Sequence, residues 1–142
     1  MTRYLAVLIF AWPVAASADD ACLSKYTKTD VCAFARKMQA GMAQSLPMVI
    51  SSNVTITTVL AIGPRVVFNA VWSQTNAEID AKIVAAGLTR SRLTEMMAEM
   101  SKNWICGSEV PAAFVRLGGE VQYTYKTLDG FPVASPLIAD CP

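Results

Sequence analysis

From Thr29 onward the chain switches between a helical and an alternating spacing of its apolar residues. Val31, Phe34, Ala35, Met38 and Met42 recur at helical intervals behind Thr29 and Asp30, two good N-terminal caps. A first helix is therefore expected to about Met42, with Leu46-Pro47 closing the segment. Residues 53–62 are rich in β-branched side chains, and Gly63-Pro64 offers a turn into a second run at 65–73. In that run Val66, Phe68, Ala70 and Trp72 share one face, while Val67, Asn69 and Val71 share the other, so the pair reads as a hairpin.

Thr75-Asn76-Ala77-Glu78 is a capping box, and the helix it opens turns Ile79, Ile83 and Val84 inward before stopping at Gly87. Thr89 caps a longer helix, on which Leu93, Met96, Met97, Met100 and Trp104 form an apolar stripe expected to lie in the core. Cys106-Gly107 should end it, with Gly107 as the C-terminal cap. Ser108-Glu109-Val110-Pro111 starts a short helix carrying Phe114 and Leu117, which Gly118-Gly119 stops. Then Glu120, Gln122, Thr124 and Lys126 alternate with Val121, Tyr123, Tyr125 and Thr127, the pattern of a strand with one wet and one buried face. Asp129-Gly130 is a hairpin turn signal, and 131–139 returns as the last strand. Pro132 and Pro136 each remove a ladder donor, which makes that strand an edge. The order helix, hairpin, helices, hairpin predicts an α+β domain: an antiparallel sheet of two hairpins with helices packed on one face.

The residues ahead of this domain read as an export signal. Thr2-Arg3 is a short positive head, residues 4–12 are uncharged and apolar, Pro13 breaks the segment, and Ala16-Ser17-Ala18 supplies small residues for a signal peptidase. The expected division is a signal peptide at 1–18 and one domain at 19–142. The apolar run is about half the length of a membrane span, so no stable membrane insertion is expected after cleavage. Lipidation at Cys22 is disfavoured because Asp19-Asp20-Ala21, two carboxylates among them, stands before it.

Charge and cysteine content narrow the chemistry. The chain has 12 basic and 11 acidic residues, and loss of Arg3 with the leader leaves them balanced. Without a basic run, nucleic-acid binding has no electrostatic support. All four cysteines lie beyond the leader, an even number that reads as two disulfides in an exported chain. Three connectivities exist; Cys22–Cys32 and Cys106–Cys141 are favoured because each joins the ends of adjacent predicted elements. Zinc has no support, since there is no histidine and no C-x-x-C pair. The lack of histidine also removes Ser-His-Asp and Cys-His hydrolases from consideration, and paired cysteines leave no thiol nucleophile. No metal or other cofactor is expected.

Several residues invite a functional reading beside a plainer one. Met96, Met97 and Met100 are soft potential ligands for copper(I), but their helical spacing favours core packing. Tyr123, Tyr125 and Trp72 could form a recognition face, though strand periodicity points the tyrosines inward. Arg116 could contact a ligand or simply be solvated or paired. Glu95 and Glu99 are read as solvent-facing residues of one helix, and Asn53-Val54-Thr55 as a chance sequon. The edge strand at 131–139 leaves Phe131 and Leu137 as candidates for side-chain contacts with a partner.

The final third has a recognisable cadence: Cys106, Pro111, Arg116, Leu117, Gly119, Tyr123-x-Tyr125, Asp129-Gly130 and Asp140-Cys141. It resembles small exported disulfide-bonded proteins of Gram-negative bacteria, including pilotin-like proteins of type II secretion systems. Those pair a similar hairpin with a helix and a disulfide, and the resemblance implies an accessory role in the cell envelope. The chain departs from pilotins in lacking a lipobox. The function expected is that of a non-enzymatic periplasmic or secreted protein that binds a protein partner. The alternatives are an immunity or inhibitor protein against a toxin or hydrolase, and a cell-wall hydrolase. The sequence specifies neither partner nor oligomeric state.

Overall fold

In the computed structural model, which describes residues 22–142, four helices and six strands follow one another. The expected signal peptide lies outside the described residues. The elements run α1 (Val31–Ala43), β1 (Met48–Ser51), β2 (Val54–Ile62), β3 (Arg65–Trp72), α2 (Asn76–Ala85), α3 (Arg90–Gly107), α4 (Glu109–Arg116), β4 (Glu120–Lys126), β5 (Pro132–Ala134) and β6 (Leu137–Ile138). The α+β class holds, as do both disulfides, Cys22–Cys32 and Cys106–Cys141.

The strands form one sheet in the order β1-β2-β3-β4-β5, with β6 also paired to β4. All pairings are antiparallel except β3 with β4, which is parallel. Three helices intervene between β3 and β4, and that long connection returns the chain to the end of the sheet from which β3 set out. The two expected hairpins are thus fused side by side into a mixed sheet. β1, which the sequence reading left as part of a connection, adds a strand at the far edge through Met48↔Ile56 and Val49↔Thr55. The expected strand at 131–139 is two short pieces, because Pro136 interrupts it; its carbonyl still accepts from the Tyr123 amide at 3.0 Å.

Side-chain alternation sorts the sheet into two faces. Val66, Phe68 and Ala70 on β3 meet Val121, Tyr123 and Tyr125 on β4 across the core face. The opposite face pairs Arg65 with Glu120 and Val67 with Gln122. On β2 the register shifts between Ile56 and Thr58. This bulge brings Val59 onto the core face shared by Val54 and Ile56, from which strict alternation would exclude it.

Helix boundaries follow their caps. The Asp30 carboxylate accepts from the Ala33 amide at 2.8 Å, and the Thr75/Glu78 capping box forms as the sequence predicts. Thr89 caps α3 by accepting from the Arg92 amide. Gly107, however, is the last residue of α3 rather than a left-handed cap; Ser108 ends that helix and stands at the start of α4. The stripe expected to bury α3 also divides. Met97, Ser101 and Ile105 enter the core, whereas Met100 and Trp104 remain 68 % and 47 % exposed. Phe114 of α4 is fully buried, edge-on to Phe34 of α1, and packs so close to Gly119 that no side chain fits there.

Candidate functional site

The exposed half of the α3 stripe forms one wall of a groove whose other wall is β1. Met100 and Trp104 face Met48, Val49 and Ile50 across it, in a cavity of about 390 Å³. A second cavity of about 210 Å³ adjoins this one, sharing Ile50, Met100 and Tyr125, and reaches Met96, Leu93 and Trp72. Not one charged residue lines either part. The exposure of Val49 and Met100, 72 % and 68 %, shows that the groove opens to solvent at both lips.

Its floor is rigid because aromatic rings support one another. Tyr123 stacks on Phe68 at 5.0 Å between ring centroids and on Tyr125 at 5.5 Å, and Trp104 meets Tyr123 edge-on at 6.3 Å. The parallel register sets this up, placing Phe68 beside Tyr123 and the small Ala70 beside Tyr125. The Tyr125 hydroxyl lies 3.1 Å from the Ser101 hydroxyl, which satisfies both buried groups. Burial, reinforced by the neighbouring Tyr125, pushes the Tyr123 phenol well above its ordinary range. Burial raises Tyr125 as well, against the opposing bond from Ser101. Both rings are therefore neutral at any physiological pH. The buried indole N–H of Trp72 has no hydrogen-bond partner among the described residues. It sits where the groove meets a further, mostly apolar cleft of about 230 Å³ beneath α2.

Of the residues singled out from the sequence, Trp72, Tyr123 and Tyr125 come together in this groove. The other three stand apart from it. Phe131 is exposed beside the turn after β4, its amide donating to Thr127 Oγ1. Leu137 pairs opposite Gln122 on the sheet's other face. Arg116 donates to the Pro142 carbonyl at 2.9 Å and is solvated otherwise. Met96, Met97 and Met100 line one cavity but differ in exposure: Met97 belongs to the core, while Met96 is half-buried and Met100 exposed. Sequence reading missed β1 and the outward turn of Met100 and Trp104. The signal lay in α3, where apolar residues cover two adjacent stripes, Leu93/Met97/Ile105 and Met96/Met100/Trp104, a wider arc than one neighbour covers.

Glu95 pairs with Arg92 at the surface, and Glu99 is exposed on the same helix. Among the described residues one cluster could offer metal-binding atoms, Cys22, Asp30 and Cys32. Its sulfurs are joined to each other, and its carboxylate caps α1. None of the described helices is long and apolar enough to cross a membrane.

No protein-family model matches the chain, and no curated protein matches it in sequence. Solved structures do. A Pseudomonas aeruginosa protein provisionally classed as secreted superposes with a TM-score of 0.61 at 13 % identity, covering 76 % of this chain and 88 % of its own. The type II secretion system pilotin AspS from Vibrio cholerae gives 0.58 at 15 % identity, over 76 % of this chain and 87 % of its own. The pilotin EpsS from the Vibrio vulnificus type 2 secretion system gives 0.59 at 10 %, over 76 % and 86 %. At such identities the likeness is one of fold: this chain has the fold that those two pilotins and the Pseudomonas protein share.

Proposed function

We propose that this chain is an exported, non-enzymatic accessory factor of a bacterial envelope secretion system, and that it holds a protein partner by an apolar segment seated between β1 and α3. The observation that carries the reading is the groove itself: open, uncharged, and floored by stacked tyrosines that need no rearrangement to receive a partner. Exposed apolar surface of this kind is rare on a small domain unless something covers it. Rigid aromatic and methionine side chains are the types that dominate interface energetics and adapt to a partner's shape. The leader sequence supports export to the periplasm or beyond, and the pilotin fold supports the association with secretion. The absence of histidine, together with disulfides that occupy all four cysteines, supports binding without turnover.

Capture of a partner from periplasmic extract tests the reading, with the purified wild-type chain as bait. Trp104→Ala combined with Met100→Glu should weaken capture at least ten-fold while leaving the thermal midpoint within a few degrees, because Met100 is mostly exposed and Trp104 about half exposed. Phe131→Ala with Leu137→Ala, on other surfaces, should leave capture unchanged. Since no charge lines the groove, raising salt from about 0.05 to 0.5 M should change affinity little. Loss of capture only in the Phe131/Leu137 variant would transfer the site to the edge strand. Robust peptidoglycan or peptide hydrolysis by the pure protein would overturn the non-enzymatic reading.

A further inference from the structure

Four of the six methionines among the described residues, Met48, Met96, Met97 and Met100, line this one groove. The other two, Met38 and Met42, lie on α1 away from it. We propose that the groove is a methionine-oxidation site, and that sulfoxide formation at Met100, followed by Met96 and Met48, closes it to apolar partners. The inference rests on the docking reading above and adds a means of regulation to it. A thioether accepts one oxygen atom from a peroxide: the sulfur becomes a sulfoxide, the O–O bond breaks, and the peroxide is reduced to water or an alcohol. The reaction needs only access to sulfur. Met100 has that at 68 % exposure, Met48 and Met96 have it in part, and Met97 at 8 % does not. An exported protein meets such oxidants without a reducing cytosol around it, and the all-disulfide cysteines offer no thiol to be oxidised first.

The consequence at the groove is large for a small change. A sulfoxide oxygen is a strong, well-hydrated acceptor, and the walls nearby are mostly hydrocarbon and aromatic ring; the Ser101 hydroxyl is already engaged with Tyr125, which leaves the Tyr123 hydroxyl and the indole N–H groups of Trp104 and Trp72 as the donors at hand. Seating an apolar segment over an oxidised Met100, which is 68 % exposed, would strip that oxygen of its water and set it against hydrocarbon, which is enough to lower affinity roughly ten-fold or more. Sulfoxides are reducible by dedicated enzymes, so the closure is reversible.

The test uses the mature chain, limiting hydrogen peroxide and peptide mass spectrometry. Met100 should oxidise first and Met97 last, with Met38 and Met42 lagging behind Met100. The same samples are titrated with anilinonaphthalene sulfonate, an apolar-site dye. Dye in the groove is excited by energy transfer from Trp72 and Trp104, which both line it. Oxidation should lower dye affinity at least five-fold and methionine sulfoxide reductase should restore it, and in Met100→Leu with Met96→Leu, whatever its starting affinity, peroxide should change dye binding far less than it does in the wild-type chain. Uniform oxidation across Met38, Met42 and Met100, or unchanged dye binding after oxidation, would overturn the proposal while leaving the docking reading intact. A groove that takes no dye before oxidation would sink both.

Discussion

At Gly119 the constraint is space rather than backbone freedom. A Cβ built there would lie 2.4 Å from the Phe114 ring, which is fully buried and held edge-on against Phe34. Gly119→Ala should cost about 2–3 kcal/mol by forcing that ring aside, and urea unfolding of the variant would measure it. The tyrosines of the groove floor give a second outcome. In the unfolded chain Tyr123 and Tyr125 ionise near pH 10, whereas burial raises both in the folded protein. Protons bound by the native state are lost first from the unfolded one, so stability should be unaffected below about pH 10 and fall as pH rises beyond it. Tyr125→Phe with Tyr123→Phe should flatten that fall, read as unfolding midpoints between pH 8 and 11.

The elements differ in how plainly the chain announces them. β4 is legible in full, since Val121, Tyr123 and Tyr125 alternate with polar neighbours and are buried as that pattern requires. The caps at Asp30, Thr75 and Thr89 are equally local, a side chain answering an amide three residues on, and all three form. What local pattern does not carry is the choice of neighbour. β1 has no alternation to mark it and is a strand only because β2 offers an edge. Met100 and Trp104 look like core by spacing alone; whether they are covered depends on β1 standing opposite at a distance. The groove was therefore legible as residues, Trp72, Tyr123 and Tyr125, and not as a site.

Across the molecule the two disulfides act on very different lengths of chain. Cys22–Cys32 spans 10 residues and ties the entry loop to α1. Cys106–Cys141 spans 35, fastening the tail beyond β6 to the end of α3, with a Lys102–Asp140 ion pair beside it. Replacing the second pair by alanines should cost about 1 kcal/mol more than replacing the first, because the longer loop restricts the unfolded chain more; guanidinium denaturation of both double variants would check it.

The parallel seam between β3 and β4 has a bearing on how this protein comes into being. It is the middle of the sheet, yet its strands are separated in the chain by all of α2, α3 and α4. Contacts of such range are slow to form, since a long loop must close before any of them is made. As the chain emerges from its N-terminal end the β2–β3 hairpin is complete well before β4, carrying a run of β-branched residues and an unpaired inner edge at β3. Until β4 arrives some fifty residues later, that edge is open to the wrong strand, including the same hairpin of another chain. A chain with this topology should depend on chaperones for yield more than on its final stability.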